Sequence, residues 1–171
     1  MNKVGSINKC TVTYKDGLPK KNKFIVGLMF LRFPLFIPGV KWLIKKALKN
    51  SEGIDFIPGF RFLYGNIHAK NAFLCDTFFV DYAPVYVGEN TRFSFDNMII
   101  TSHHKLDDFS TVEAKPVTIG KNVWITSRCV ILGGVTIGDN SIIGAGSVVT
   151  RDIPPDSLAA GNPAKVIRSL K

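Results

Sequence analysis

Two adjacent histidines, His103 and His104, open the polar stretch SHHKLDDFSTVEAKP, and the chain has only one other, His68. A neutral imidazole can take up a proton near neutral pH, so a histidine in such a segment is a candidate general base for a hydroxyl. The plain alternative is a pair of solvated loop side chains with no chemical role. A base must be held in place, and the neighbouring sequence indicates how.

From Val117 to Asp152 the chain divides into sixes: VTIGKN, VWITSR, CVILGG, VTIGDN, SIIGAG and SVVTRD. The third residue of each is aliphatic: Ile119, Ile125, Ile131, Ile137, Ile143 and Val149. A helix of 3.6 residues per turn would scatter these around its axis. Short strands joined by tight turns instead turn each aliphatic inward from one flat face, with Gly, Asn and Asp serving the turns. Three faces close one coil of about eighteen residues, and stacked coils bury a continuous column. Upstream, Ile67, Phe73 and Phe79 keep the spacing. Val87 follows Phe79 by eight, which places a two-residue bulge within Asp81–Pro84, and Phe93 and Ile99 restore the register. Twenty residues then separate Ile99 from Ile119, and the histidine segment reads as a loop thrown out of the coil, where function is commonly carried.

The text ITSHHKLD, KPVTIGKNVWI, GVTIGDNSIIGAGSVVTRDIPP and GNPAKVIR resembles the hexapeptide-repeat acyltransferases, most nearly the branch of maltose and galactoside O-acetyltransferases. The resemblance implies an all-β solenoid, a left-handed parallel β-helix, and its handedness comes from the resemblance alone because parallel crossovers are ordinarily right-handed. It implies acetyl transfer from acetyl-CoA to a hydroxyl of a sugar or polysaccharide precursor. Matching TSHHKLD to the family's T-x-x-H-P-L-D makes His104 the general base, with Lys105 in the place of the proline. His103 becomes an acceptor contact, and Glu113 is the carboxylate expected to orient His104. The N–H of Ser127 falls where the family stabilises the thioester end, as an oxyanion requires. Trp124 would line the cleft or pack on a neighbouring subunit. Gly144, Ala145 and Gly146 would let the pantetheine arm approach, although turn chemistry explains the same glycines. Thr150, Arg151, Pro163, Lys165 and Arg168 match positions near the pantetheine, phosphates and adenine. For the acceptor, the family's asparagine is replaced by Leu74, leaving Asp76 and Asp81 as polar candidates. The family's N-terminal helical hairpin is also absent. Both departures favour a precursor of the kind acetylated in capsule, colanic acid or O-antigen synthesis over free maltose or galactosides. The resemblance further implies a homotrimer with active sites between subunits.

The organisation expected is a basic, apolar and amphipathic segment over residues 1–54, the β-helix over 55–158 with residues 103–116 extruded, and a cofactor-covering tail over 159–171. Of the net charge of +9, the first fifty residues carry eleven Lys and Arg against Asp16 alone, so the repeat body is nearly neutral. No recognised module interleaves basic residues with stacking aromatics, which argues against nucleic acid. The apolar run Phe24–Ile37 contains Arg32 and Pro34 and is shorter than the roughly twenty residues of a membrane span. No small-residue cleavage site follows it. Val40–Asn50 forms a helical pattern, apolar on one side and lysine-rich on the other. It suits a cap on the open end of the coil, or a peripheral contact of residues 24–50 with anionic headgroups. Cys10, Cys75 and Cys129 are odd in number and without a C-x-x-C, so no disulfide is expected and a cytoplasmic, reducing setting fits.

Two other readings use the same pattern. A γ-type carbonic anhydrase would offer His68, His103 and His104 to zinc, but its spaced histidine pair is missing, so no metal site is assigned. A non-catalytic assembly module would need neither the loop histidine nor the tail.

Overall fold

A computed structural model describes residues 12–14 and 39–171. The apolar run Phe24–Ile37 and Cys10 lie outside the described residues.

The six-residue blocks form strands of two or three residues, with corners that include left-handed backbone at Asn122, Arg128 and Asn140. The first sheet stacks β3 (Ile67–Ala69), β5 (Val85–Val87), β10 (Val117–Ile119) and β13 (Thr136–Ile137). The second stacks β6 (Arg92–Phe93), β11 (Trp124–Ile125), β14 (Ile142–Ile143), β16 (Ser157–Gly161) and β17 (Ala164–Ser169). The third stacks β2 (Arg61–Phe62), β4 (Phe78–Val80), β7 (Met98–Ile100), β12 (Val130–Leu132) and β15 (Val148–Val149). From β5 to β15, the excursion between β7 and β10 aside, the chain visits these sheets in rotation, climbing as a three-sided coil. Every pairing within the three sheets is parallel except β16 with β17.

The core follows from this register. Ala69, Val87, Ile119 and Ile137 align in the first sheet. Phe93, Ile125, Ile143 and Ala159 align in the second, and Phe62, Phe79, Ile99, Ile131 and Val149 in the third. All are buried. Backbone donors are met from the next coil, as where Thr118 donates to Val135 O at 3.0 Å and Val130 to Ser147 O at 2.8 Å. In the earliest coils Ala72 and Leu74 are buried, whereas Phe73 between them is half-buried. The strict six-residue expectation thus fails there by one place, beside the left-handed corners at Asn71 and Cys75.

Helix α1 (Val40–Ala47) closes the first coils. Ile44 and Leu48 are buried in the same cluster as Ile54, Phe56 and Phe62, whereas Leu43, on the apolar side of the pattern, is exposed. Lys41 binds Asp55 at 2.5 Å and holds its carboxyl below the usual carboxylate range.

Between β7 and β10 the chain leaves the coil as an antiparallel hairpin, β8 (Ser102–His104) and β9 (Val112–Ala114). Strand β1 (Val12–Tyr14) pairs antiparallel with β9, so the N-terminal segment adds a third strand to the expected loop. Gly133 lies under the hairpin's root: a Cβ there would stand 2.6 Å from Thr101 O, so only glycine permits this approach.

Replacing the fully buried Ile131 by Ala removes a link of the column. It should cost about 2–5 kcal/mol, read as a lower denaturant midpoint with the fold's circular dichroism retained.

Candidate active site

The hairpin separates the two histidines by strand alternation. His103 stands opposite Glu113, and His104 opposite Val112. Directly opposed residues share a face, so Glu113 lies with His103. His103 Nε2 is 3.6 Å from one Glu113 oxygen, and Lys105 Nζ is 3.4 Å from the other. The expectation that Glu113 orients His104 is therefore corrected, because successive side chains on a strand point to opposite faces.

His104 finds a different partner. Its Nδ1 lies 2.7 Å from Phe109 O across the hairpin tip. A carbonyl oxygen can only accept, so Nδ1 carries the hydrogen and Nε2 of the neutral ring keeps its lone pair. The tip is held by further polar contacts. Asp108 accepts from Ser110 N at 3.0 Å and from the hydroxyls of Ser110 and Thr111. The Lys105 N–H donates to Thr111 O at 3.0 Å, a bond proline could not make. Lysine at this place thus closes the hairpin in a way the family's proline does not. His104 is exposed, as are Leu106 and Phe109 nearby.

The remaining candidates fall on two other parts of the coil. Ser127, Gly144, Ala145 and Gly146 share the corner between the second and third sheets, where Gly146 N donates to Ser127 O at 3.0 Å. Backbone carbonyls take the N–H groups on either side, Thr126 to Ile143 and Arg128 to Phe95. Among the described residues none takes that of Ser127. Gly146, at φ +72°, has open space where a Cβ would stand, whereas a Cβ on Gly144 would meet that of Ala160 at 2.7 Å. Gly144 is therefore required by packing and Gly146 leaves the surface bare. Trp124 is half-exposed on the second sheet, its indole N–H donating to Ser94 Oγ at 3.1 Å.

The corner between the third and first sheets, where the hairpin emerges, carries a trough. One part, about 690 Å³, is lined by Lys115, Gly133, Gly134, Val135 and Thr150–Asp152. The other, about 500 Å³, shares Thr150–Asp152 and runs on to Pro163–Val166. Four sequence candidates, Thr150, Arg151, Pro163 and Lys165, thus come together. Arg168 is apart, exposed on β17 opposite Leu158. Lys115 and the Gly133–Gly134 pair were missed. Their only sequence signal was position, just before the repeat and at the end of its third block. An elongated trough with three cations at its walls, Lys115, Arg151 and Lys165, fits an extended, phosphate-bearing ligand.

Of the acceptor candidates, Asp81 is removed. It is fully buried, and its carboxylate accepts from the N–H groups of Leu63, Tyr64 and Asn66 at 2.8, 3.0 and 2.6 Å. It pins the enlarged corner between Phe79 and Val87. Asp76 is half-buried, with one oxygen accepting from Asp96 N at 2.8 Å. Cys75 and Cys129 are free and buried, and burial raises both thiols above their ordinary range. Among the described residues no cluster of His, Cys, Asp and Glu could hold a metal ion.

The family described as bacterial transferase hexapeptide (six repeats) matches residues 116–151. The chain is 46% identical over 166 residues to a galactoside O-acetyltransferase of Escherichia coli, covering 91% of this chain and 82% of that one. Among solved structures, a maltose O-acetyltransferase from Clostridium difficile superposes with TM-score 0.74 at 34% identity, covering 87% of this chain and 84% of that one. A hexapeptide-repeat acetyltransferase of Vibrio cholerae, solved with acetyl coenzyme A, superposes with TM-score 0.71 at 27% identity over 87% of this chain and 88% of that one.

Asp81→Asn keeps the shape but loses the charge that three N–H groups face. It should lower stability by about 2 kcal/mol or more in denaturant titration while leaving the KM of any acceptor unchanged.

Proposed function

This chain belongs to the hexapeptide-repeat acyltransferases, and within that family we propose that it transfers an acetyl group from acetyl-CoA to a hydroxyl of a sugar or polysaccharide precursor, with His104 as general base. The observation that carries the proposal is the hydrogen bond from His104 Nδ1 to Phe109 O, which leaves Nε2 free to accept a proton. The left hand of the coil rests on the same membership.

Acetyl-CoA supplies an acyl carbon activated as a thioester. Thr150, Arg151, Pro163 and Lys165 hold the donor in the trough. Nε2 of His104 takes the proton of the acceptor hydroxyl as that oxygen attacks the carbonyl carbon. The bond from Nδ1 to Phe109 O steadies the imidazolium, which then protonates the departing thiolate. The Ser127 N–H is the donor for the negative oxygen formed in between. Ser127 and the His104 hairpin lie at different corners of one chain, so the complete site needs two copies. This supports a homotrimer whose active sites lie between neighbours.

Helix α1 supports a seat for this cytoplasmic enzyme at an anionic membrane surface, which suits a lipid-linked acceptor. Trp42 is 61% and Leu43 45% exposed, beside exposed Lys45, Lys46 and Lys49. No helix among the described residues is long and apolar enough to cross a membrane.

His104→Ala should keep the trimer's mass by light scattering yet lower kcat on a responsive sugar by roughly 10²–10⁴-fold. Near-normal turnover would remove the base assignment. In sedimentation with vesicles, the protein should bind phosphatidylglycerol-containing membranes and not purely zwitterionic ones, and Trp42→Ala with Leu43→Ala should weaken binding several-fold.

A further inference from the structure

Lys115 stands at the neck of the hairpin, and no repeat position requires a cation there. Its N–H donates to Thr101 O at 2.8 Å, tying the end of the hairpin to its beginning. The next residue, Pro116, accepts from Gly134 N at 3.0 Å, which ties that neck to the following coil. The lysine stem runs over Gly134: a Cβ on that glycine would stand 3.4 Å from Lys115 Cδ and 3.6 Å from its Cβ. The side chain is half-buried and lines the trough with Thr150 and Arg151. Among the described residues, no carboxylate forms an ion pair with Lys115 or Arg151. Asp152 is the single acid on the trough's walls, and one of its oxygens accepts from Thr136 N at 2.7 Å. A half-buried lysine that lines a groove with a second cation and pairs with no carboxylate lacks its counter-charge, and an anionic ligand supplies it.

We propose that Lys115 binds the phosphate-bearing part of the acyl donor and that this contact sets the His104 hairpin against the occupied trough. The assignment rests on the donor reading above and adds to it a residue from the hairpin itself. Thr150, Arg151, Pro163 and Lys165 belong to the coil and tail, so they fix the donor without touching the catalytic segment. Lys115 belongs to both. A bound phosphate therefore draws on the same backbone that runs, through Ala114 and Val112, opposite His104.

The test compares two donors in the full-length protein. S-acetylpantetheine carries the thioester without phosphates, and acetyl-CoA carries both. Lys115→Met should raise the KM for acetyl-CoA by about tenfold or more while leaving that for S-acetylpantetheine unchanged, and Lys115→Arg should recover most of the loss. In limited proteolysis, CoA should protect the hairpin tip of the wild type and protect that of Lys115→Met markedly less. Equal losses with both donors would make Lys115 a structural support of the hairpin and overturn the assignment. Unchanged CoA binding by calorimetry in Lys115→Met, with the wild type binding normally, would overturn it while leaving the donor reading intact. A wild type that binds no CoA would remove the donor reading, and the role of Lys115 with it.

Discussion

Everything in this molecule depends on the register of one coil upon the next. A parallel stack has no freedom to slide, because a shift of one residue would turn every inward aliphatic to solvent. Ile119, Ile125 and Ile131 therefore fix not only the core but also the corners between them, where side chains face out on a rigid frame. Chemistry placed on such a frame is positioned along the axis by whole coils and around it by choice of corner. The hairpin and the trough share one corner. Ser127 and Gly146 occupy another, so the two groups of candidates stand apart on one coil.

Within that frame the hairpin tip is held by polar contacts in place of burial. A carbonyl, Phe109 O, chooses the tautomer of His104, and a carboxylate, Asp108, shapes the tip that presents the carbonyl. Glu113 serves the opposite face, between the His103 ring and the Lys105 ammonium. The hairpin thus has one face on which Glu113 joins His103 and Lys105, and another on which His104 stands exposed with its Nδ1 held by Phe109 O.

The repeat from Val117 onward was fully legible because six-residue spacing admits no helical reading and each block is complete. The bulge near Asp81 was legible by counting, since eight residues separate Phe79 from Val87, but the role of Asp81 was not. A buried carboxylate meeting three backbone donors looks, in a sequence, like any polar residue beside a turn. Phe73 and Leu74 were exchanged because the early corners are tighter than the pattern assumed. Glu113 was misjudged for want of a strand register, since alternation decides which histidine it faces. The pairing of β1 with the hairpin joins residues about a hundred positions apart, and short-range pattern carries no trace of it. Lys115 was invisible for a related reason: the trough exists only when three successive coils are stacked.

The two ends of the stack also differ in how they are finished. At the first coils α1 lays Ile44 and Leu48 over the open core. At the last, β17 doubles back along β16 and reverses the strand direction of the second sheet. A bare rung would expose a row of unsatisfied amides and carbonyls of the kind that templates fibre-like growth from molecule to molecule. Helix and returning strand thus finish the stack in different ways, the one over its core and the other along the last edge of the second sheet.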